Sequence, residues 1–336
     1  MIGDDSKNPL SQPTTKSVHY RGNPEAYLAA QEEFTLELVD AALRANPPAF
    51  PEPPIRRLAM QLLDHVLHDE AAASKPALQS FHHRRIADVA DDIDAGNVEH
   101  GATVWKLYDH GYVLRTPEVT LGFDLTRGYS ANVPAFAVDD SVLDKIASVC
   151  DVLFISHLHE DHADPHVVAQ FLDQDKPVVA PPQVMTEEPF HEQITHLPRE
   201  AHVMHEVHVS AGDQLLKVAA NPGHQGEKTE VNHHVVVTPS DFTVVHTGDQ
   251  GHCDDLDWLE SAVDHYDVDL LLPNSWVPDL LRLVAAYNPR LIIPGHENEL
   301  GHDISYREPY WLSYVRMPSE MEKTLVMTWG ERFDVV

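Results

Sequence analysis

Residues 154–166 read FISHLHEDHADPH and directly follow an apolar run. Four histidines and three carboxylates fall within these thirteen residues. The chain carries 24 histidines, so chance clustering is the first alternative to weigh. The spacing argues against chance. In a loop leaving a strand, His157 and His159 point to one side and share an ion, while Asp161 and His162 are displaced toward a second position. Three more candidate ligands stand beside glycines, each after a strand-like segment: His224 in NPGHQG, Asp249 in HTGDQG and His296 in IIPGHE. Glycine lets the backbone turn tightly there, so side chains from distant segments can converge. These seven imidazole and carboxylate donors suit one or two borderline divalent ions such as zinc. A single carboxylate, Asp249, is placed to bridge two ions. His233 and His234 lie on the next strand, where alternation sends one inward and one outward. His224 is preferred to them because a loop presents it, as loops present the other ligands.

Composition narrows the function. At 336 residues the chain is long enough for a large core without staples. Its net charge of −31 disfavours DNA, RNA and anionic lipid, whose binding depends on cationic side chains releasing counterions. The two cysteines, Cys150 and Cys253, form no framework and no C-x-x-C pair, which suits a reducing compartment. The first sixteen residues have no apolar segment of the signal-peptide kind, and no run of about 18 apolar residues would span a bilayer. The expectation is a cytoplasmic protein with no nucleic-acid or membrane partner.

Two regions differ in pattern. Residues 1–22 are polar and read as a loose arm. Asn23 and Pro24 then make a helix cap and first turn, and Tyr27, Phe34 and Leu38 share a helical face. Helices follow over about 55–68 and 76–94, so residues 1–100 read as an arm and helical extension. From 101 to 336 strands alternate with helices. TVWKLYDHGYVLRT, VTLGFDL and DVLFISH read as strands, HHVVVTPSDFTVVHTGD as a hairpin, and TLVMTW as a strand closing a sheet. The expected class is α/β, in layers.

The ligand-bearing segments carry a resemblance. The region from about 102 onward resembles the metallo-β-lactamase superfamily at five landmarks in order: LGFDLTRG with Asp124, HLHEDH, PGHQG, HTGD and IPGHE. The strand-helix lead into HLHEDH and the late PGHE are closest in look to its ascorbate-6-phosphate lactonase-like group. The resemblance implies an αββα four-layer sandwich, with the helical extension as an addition. It implies one ion on His157, His159 and His224, and a second on Asp161, His162 and His296. Asp249 is shared and Asp124 is largely structural. Two divalent ions follow, zinc first, with manganese or iron as substitutes. Glu160 occupies the variable position, so the H-x-E-x-D pattern of flavodiiron oxygen reductases is absent.

The reaction class expected is hydrolysis by a metal-bridged hydroxide, with Asp161 and Asp249 as catalytic ligands and a small ester, lactone or related molecule as substrate. Three readings compete: a small-molecule phosphodiesterase on the same two ions, a mononuclear iron oxygenase, and a non-catalytic metal-stabilised scaffold. A complete ligand set argues against the last two. Arg307, His302, Tyr310 and Trp276 follow or precede ligand segments and are candidates for the substrate wall; Arg307 would clamp a carboxylate or phosphate. Cys253 reads as a small buried thiol. The apolar faces of the extension must bury against something, which makes them a route to a homo-oligomer.

Overall fold

The computed structural model describes residues 21–209 and 214–335. The polar arm therefore lies almost wholly outside the described residues. The first helix, α1 (Pro24–Ala45), starts where the sequence places it: the Asn23 side chain accepts the N–H of Ala26 at 3.1 Å, and Pro24 occupies the first turn. Its buried face differs from the expected one. Leu36, Val39 and Leu43 are buried, whereas Tyr27 and Phe34 are half exposed. Helices α2 (Pro54–Leu67) and α3 (Pro76–Ala95) complete the extension.

Two six-stranded sheets follow. In the first, β1 (Ala102–Lys106), β2 (Tyr112–Arg115) and β3 (Thr120–Phe123) run as an antiparallel meander, and β4 (Val152–Phe154) and β5 (Val178–Val179) add in parallel. A last strand, β12 (Glu331–Val335), pairs with β1 and forms the edge. The second sheet repeats the plan. β6 (His205–Val209), β7 (Gln214–Gln225), β8 (Thr229–Val237) and β9 (Thr243–His246) are antiparallel, and β10 (Leu270–Leu272) and β11 (Leu291–Ile292) are parallel additions.

Alternation along the strands explains the layering. Val104, Leu114, Leu121 and Phe154 turn inward and meet Leu216, Val236, Val244 and Leu272 of the other sheet. Their neighbours Trp105, Val113 and Leu153 face outward and pack under α3, α4 (Asp140–Val149) and α5 (Pro165–Leu172). On the far side, Val235, Val245 and Leu271 pack under α6 (Ala262–His265) and α7 (Leu280–Tyr287). The result is helix, sheet, sheet, helix: the four-layer α/β sandwich.

Two strand expectations need correction. The stretch TVWKLYDHGYVLRT is two strands, because Tyr108–Gly111 form a turn with Asp109 at φ +54°. TLVMTW forms no regular strand, only a single bridge from Thr324 to Ile292; the strand follows at Glu331–Val335. The extension packs against the rest of the chain. Leu78, Phe81, Val89 and Ile93 of α3 share one core cluster with Trp105 and Trp329. The buried pair Arg56–Glu331 (2.6 and 2.8 Å) ties α2 to β12. No helix of the described residues is long and apolar enough to cross a membrane.

Candidate metal centre

The ligands stand where parallel strands end. His157, His159, Asp161 and His162 occupy the loop from β4 to α5. That loop coils, the His159 carbonyl accepting the N–H groups of His162 (3.0 Å) and Ala163 (2.9 Å), and this swings Asp161 and His162 past the first two histidines. Asp249 follows β9. Between them Gly248 (φ +53°) approaches so closely that a Cβ there would lie 2.4 Å from Ser156 Cβ, so no larger residue fits. His296 follows β11 at φ +63°, after Gly295, whose position is closed to a side chain by His110 at 2.2 Å.

Six of the seven sequence-predicted ligands converge. His157, His159 and Asp249 bring one ligand atom each within 4.8 Å of one another, as do Asp161, His162 and His296. Asp249 joins the two groups. Its Oδ1 is 3.4 Å from His162 Nε2, and its Oδ2 is 3.0 Å from His296 Nε2 and 3.9 Å from His157 Nε2. His224 does not join them. It lies on β7 rather than in a loop, and its Nε2 meets Asp255 Oδ1 at 2.8 Å, with His252 beside it. The adjacent Gln225 donates instead to Asp249 Oδ2 at 3.3 Å. Neighbours on a strand face opposite ways, so the register that turns Gln225 toward the centre turns His224 away. His233 and His234 are no substitutes: they bond Tyr287 and Gln250, and the Ile155 carbonyl, respectively.

Asp124, immediately after β3, is structural in the sense the sequence suggests. Its carboxylate accepts the Ser156 N–H (2.7 Å), the Ser156 hydroxyl (2.6 Å) and His162 Nδ1 (2.7 Å). That contact fixes the His162 ring with Nε2 aimed at the centre. Three buried residues went unread in the sequence: Asp109, His110 and His246. Asp109 stands with Asp161, His162 and His296; the other two rings lie 4.2 Å apart beneath, beside Asp124. The available signal was the Asp-His-Gly turn between two apolar segments.

Electrostatics fit a cation site. Burial opposes charge on His162, but Asp249, Asp161 and Asp124 outweigh it and hold the imidazole well above its ordinary range. Burial likewise opposes charge on His296, and Asp109 and Asp249 outweigh it. His157 is pushed down to about 3 by burial and by neighbouring His162, which leaves it neutral, the form that binds metals. Among the described residues, Asp249 Oδ1, His162 Nε2, His296 Nε2 and both Asp109 oxygens are buried and make no hydrogen bond. Orphaned donors and acceptors of this kind are rare in interiors unless an ion or water completes them. The residues present fit a divalent metal site.

No protein-family model and no curated protein matches the chain. Solved structures do. A metallo hydrolase from the hyperthermophilic archaeon Ignicoccus hospitalis superposes with a TM-score of 0.50 at 14% identity, over 69% of this chain and 97% of its own. The chain has the metallo-β-lactamase fold. An isothiocyanate hydrolase from Delia radicum gut bacteria aligns more loosely, with a TM-score of 0.48 at 14% identity over 70% of this chain and 100% of its own. A diiron β-hydroxylase from Streptomyces venezuelae gives 0.47 at 12% identity, over 70% and 54%. Within this metallo-β-lactamase fold the centre sits at one edge of the sandwich, at the strand ends that both sheets contribute.

The proposed substrate residues divide. Trp276 is partly exposed with its ring 6.0 Å from His296, and the His302 ring stacks on His296 at 5.3 Å. Arg307 and Tyr310 are buried elsewhere. Arg307 donates to the carbonyls of Leu67, Asp69, Glu299, Leu300 and His302, and Tyr310 bonds Thr328. A guanidinium so engaged has no donor left for a substrate.

Proposed function

We propose that this protein is a metal-dependent hydrolase acting on a small ester, lactone or related molecule. The observation that carries the reading is the set of orphaned ligand atoms from His162, Asp249 and His296, converging with His157, His159 and Asp161 at one buried point. Bound divalent ions would lower the pKa of water toward neutrality and polarise a scissile carbonyl. The chain's own residues do the rest. Asp249, which contacts His157, His162 and His296, would be shared between the two ions, and Asp161 would hold the second with His162 and His296. Asp124 and Ser156 keep the His162 ring in place. His159 is half-buried and marks the open side, where Trp276 and His302 form an aromatic wall beside His296. That wall suits a compact, partly apolar substrate.

Zinc is the first ion to test, then manganese and iron. The test pairs metal analysis with a panel of lactones, aryl esters, a bis-aryl phosphodiester and nucleic acid, each with an Asp249→Ala control. Hydrolysis of a small ester or lactone that depends on metal and on Asp249 is expected. Turnover of the phosphodiester alone would replace the carboxyl-ester reading.

A further inference from the structure

Asp109 lies in the turn between β1 and β2, fully buried, with neither carboxylate oxygen in a hydrogen bond among the described residues. An ionised carboxylate in the interior without partners is costly, so the surroundings either leave it protonated or must accommodate a compensating cation. They are arranged for the cation. Asp109 Oδ2 lies 3.6 Å from His162 Nε2, and Oδ1 lies 3.5 Å from His296 Nδ1. Asp161 Oδ2 is 3.4 Å from His162 Nε2 and 3.3 Å from His296 Nε2. One atom each of Asp109, Asp161, His162 and His296 lies within 4.8 Å of the others, close enough for donors that draw in to one ion at about 2.0–2.2 Å; His296 faces Asp161 with Nε2 and Asp109 with Nδ1. The turn is pinned in that position, since the Asp109 carbonyl accepts the N–H of His296 at 3.2 Å.

We infer that Asp109 is a ligand of the ion held by Asp161, His162 and His296, and that this position favours manganese(II) or iron(II) more than its neighbour does. The inference rests on the metal-centre reading above. With Asp249 the position gathers three carboxylates and two imidazoles, an oxygen-rich set of five donors suited to a six-coordinate ion. The other position has His157, His159 and Asp249, with His224 turned away. That set is nitrogen-rich and short of donors, which suits four-coordinate zinc with one place open. The two positions are chemically unlike.

The experiment measures manganese(II) and zinc(II) binding to the full chain by equilibrium dialysis, with the manganese EPR spectrum as a second readout. Wild type, Asp109→Asn and His159→Ala are compared; the asparagine keeps the shape of Asp109 and removes its charge. Asp109→Asn is expected to weaken manganese binding at least about tenfold, to alter the EPR spectrum and to lower the manganese-to-zinc ratio bound in competition. It should still hold one zinc, which also reports that the chain has folded. His159→Ala should keep its manganese. Unchanged manganese affinity and an unchanged spectrum in Asp109→Asn would overturn the inference, as would a wild-type chain that binds no manganese. A chain that binds both ions, shows the Asp109 effect and hydrolyses nothing would refute the hydrolase reading and leave this inference standing.

Discussion

Asp249 is the residue on which the proposed pair of ion positions depends. Replacing it with alanine removes the only carboxylate among the described residues that reaches both ligand groups. Asp249→Ala should lower bound metal and cut activity by roughly 10²–10³-fold or more. His65→Ala, on the exposed face of α2, should change neither. Arg307 makes the opposite prediction. Its alanine variant strands several buried carbonyls and should lose about 3 kcal/mol or more of stability in urea unfolding, while KM in the folded fraction stays put. A raised KM with unchanged stability would restore Arg307 to the substrate site. Asp64 supplies a pH signature. Burial raises its carboxyl from 3.8 to about 6, against hydrogen bonds from Asn298 and the Tyr310 and Trp311 N–H groups. The folded value lies above the unfolded one, so between these values the folded state binds more protons and stability falls as pH rises. This contribution is complete below pH 4 and lost through pH 6; it amounts to at most about 3 kcal/mol. In the metal-free chain, the gap between wild type and Asp64→Asn should shift toward the variant from pH 4 to pH 7. A gap independent of pH would contradict the assignment. Residue by residue, the H-x-H-x-D-H cluster was legible as a cluster because one loop carries it. The place of Asp109 beside it was not, because only tertiary contact brings a hairpin turn to His296, and strand register turns His224 to Asp255 instead of to the cluster.

At the scale of elements, helix starts were readable from chemistry close in sequence, as with Asn23 and Pro24. What each helix packs against was not. Periodicity announces that a face is buried and is silent about its partner. The apolar faces of the extension had no named partner in the sequence; α3 packs with Trp105, Leu107 and Trp329. A chain starting at Gly96 would expose that face and break the Arg56–Glu331 pair, whose loss alone costs about 3–5 kcal/mol. The expected product is insoluble, or binds hydrophobic dye and lacks near-UV circular dichroism. A soluble truncation with the native spectrum would show that the extension is dispensable. The misplaced last strand has a similar cause. TLVMTW has the composition of a strand, but its side chains fill the core from an irregular segment; the edge strand is the charged ERFDV, whose exposed Arg332 and Asp334 suit a sheet edge.

For the whole molecule, a net charge of −31 sets which substrates can approach. Repulsion of polyanions is the expectation, and several basic side chains are paired: Arg127 with Asp164 and Asp140, Arg290 with Asp267 and Asp269, Lys106 with Glu297. Plasmid DNA and structured RNA should stay intact under conditions in which a small ester turns over; cleavage of nucleic acid would contradict the charge argument. Whatever the substrate, the orphaned buried ligand atoms call for an ion. Elemental analysis after mild loading and removal of free metal tests this claim most directly. About two divalent ions per wild-type chain, falling in Asp249→Ala, is the result predicted from the joined ligand groups. A well-folded wild-type chain that retains no ion would contradict it.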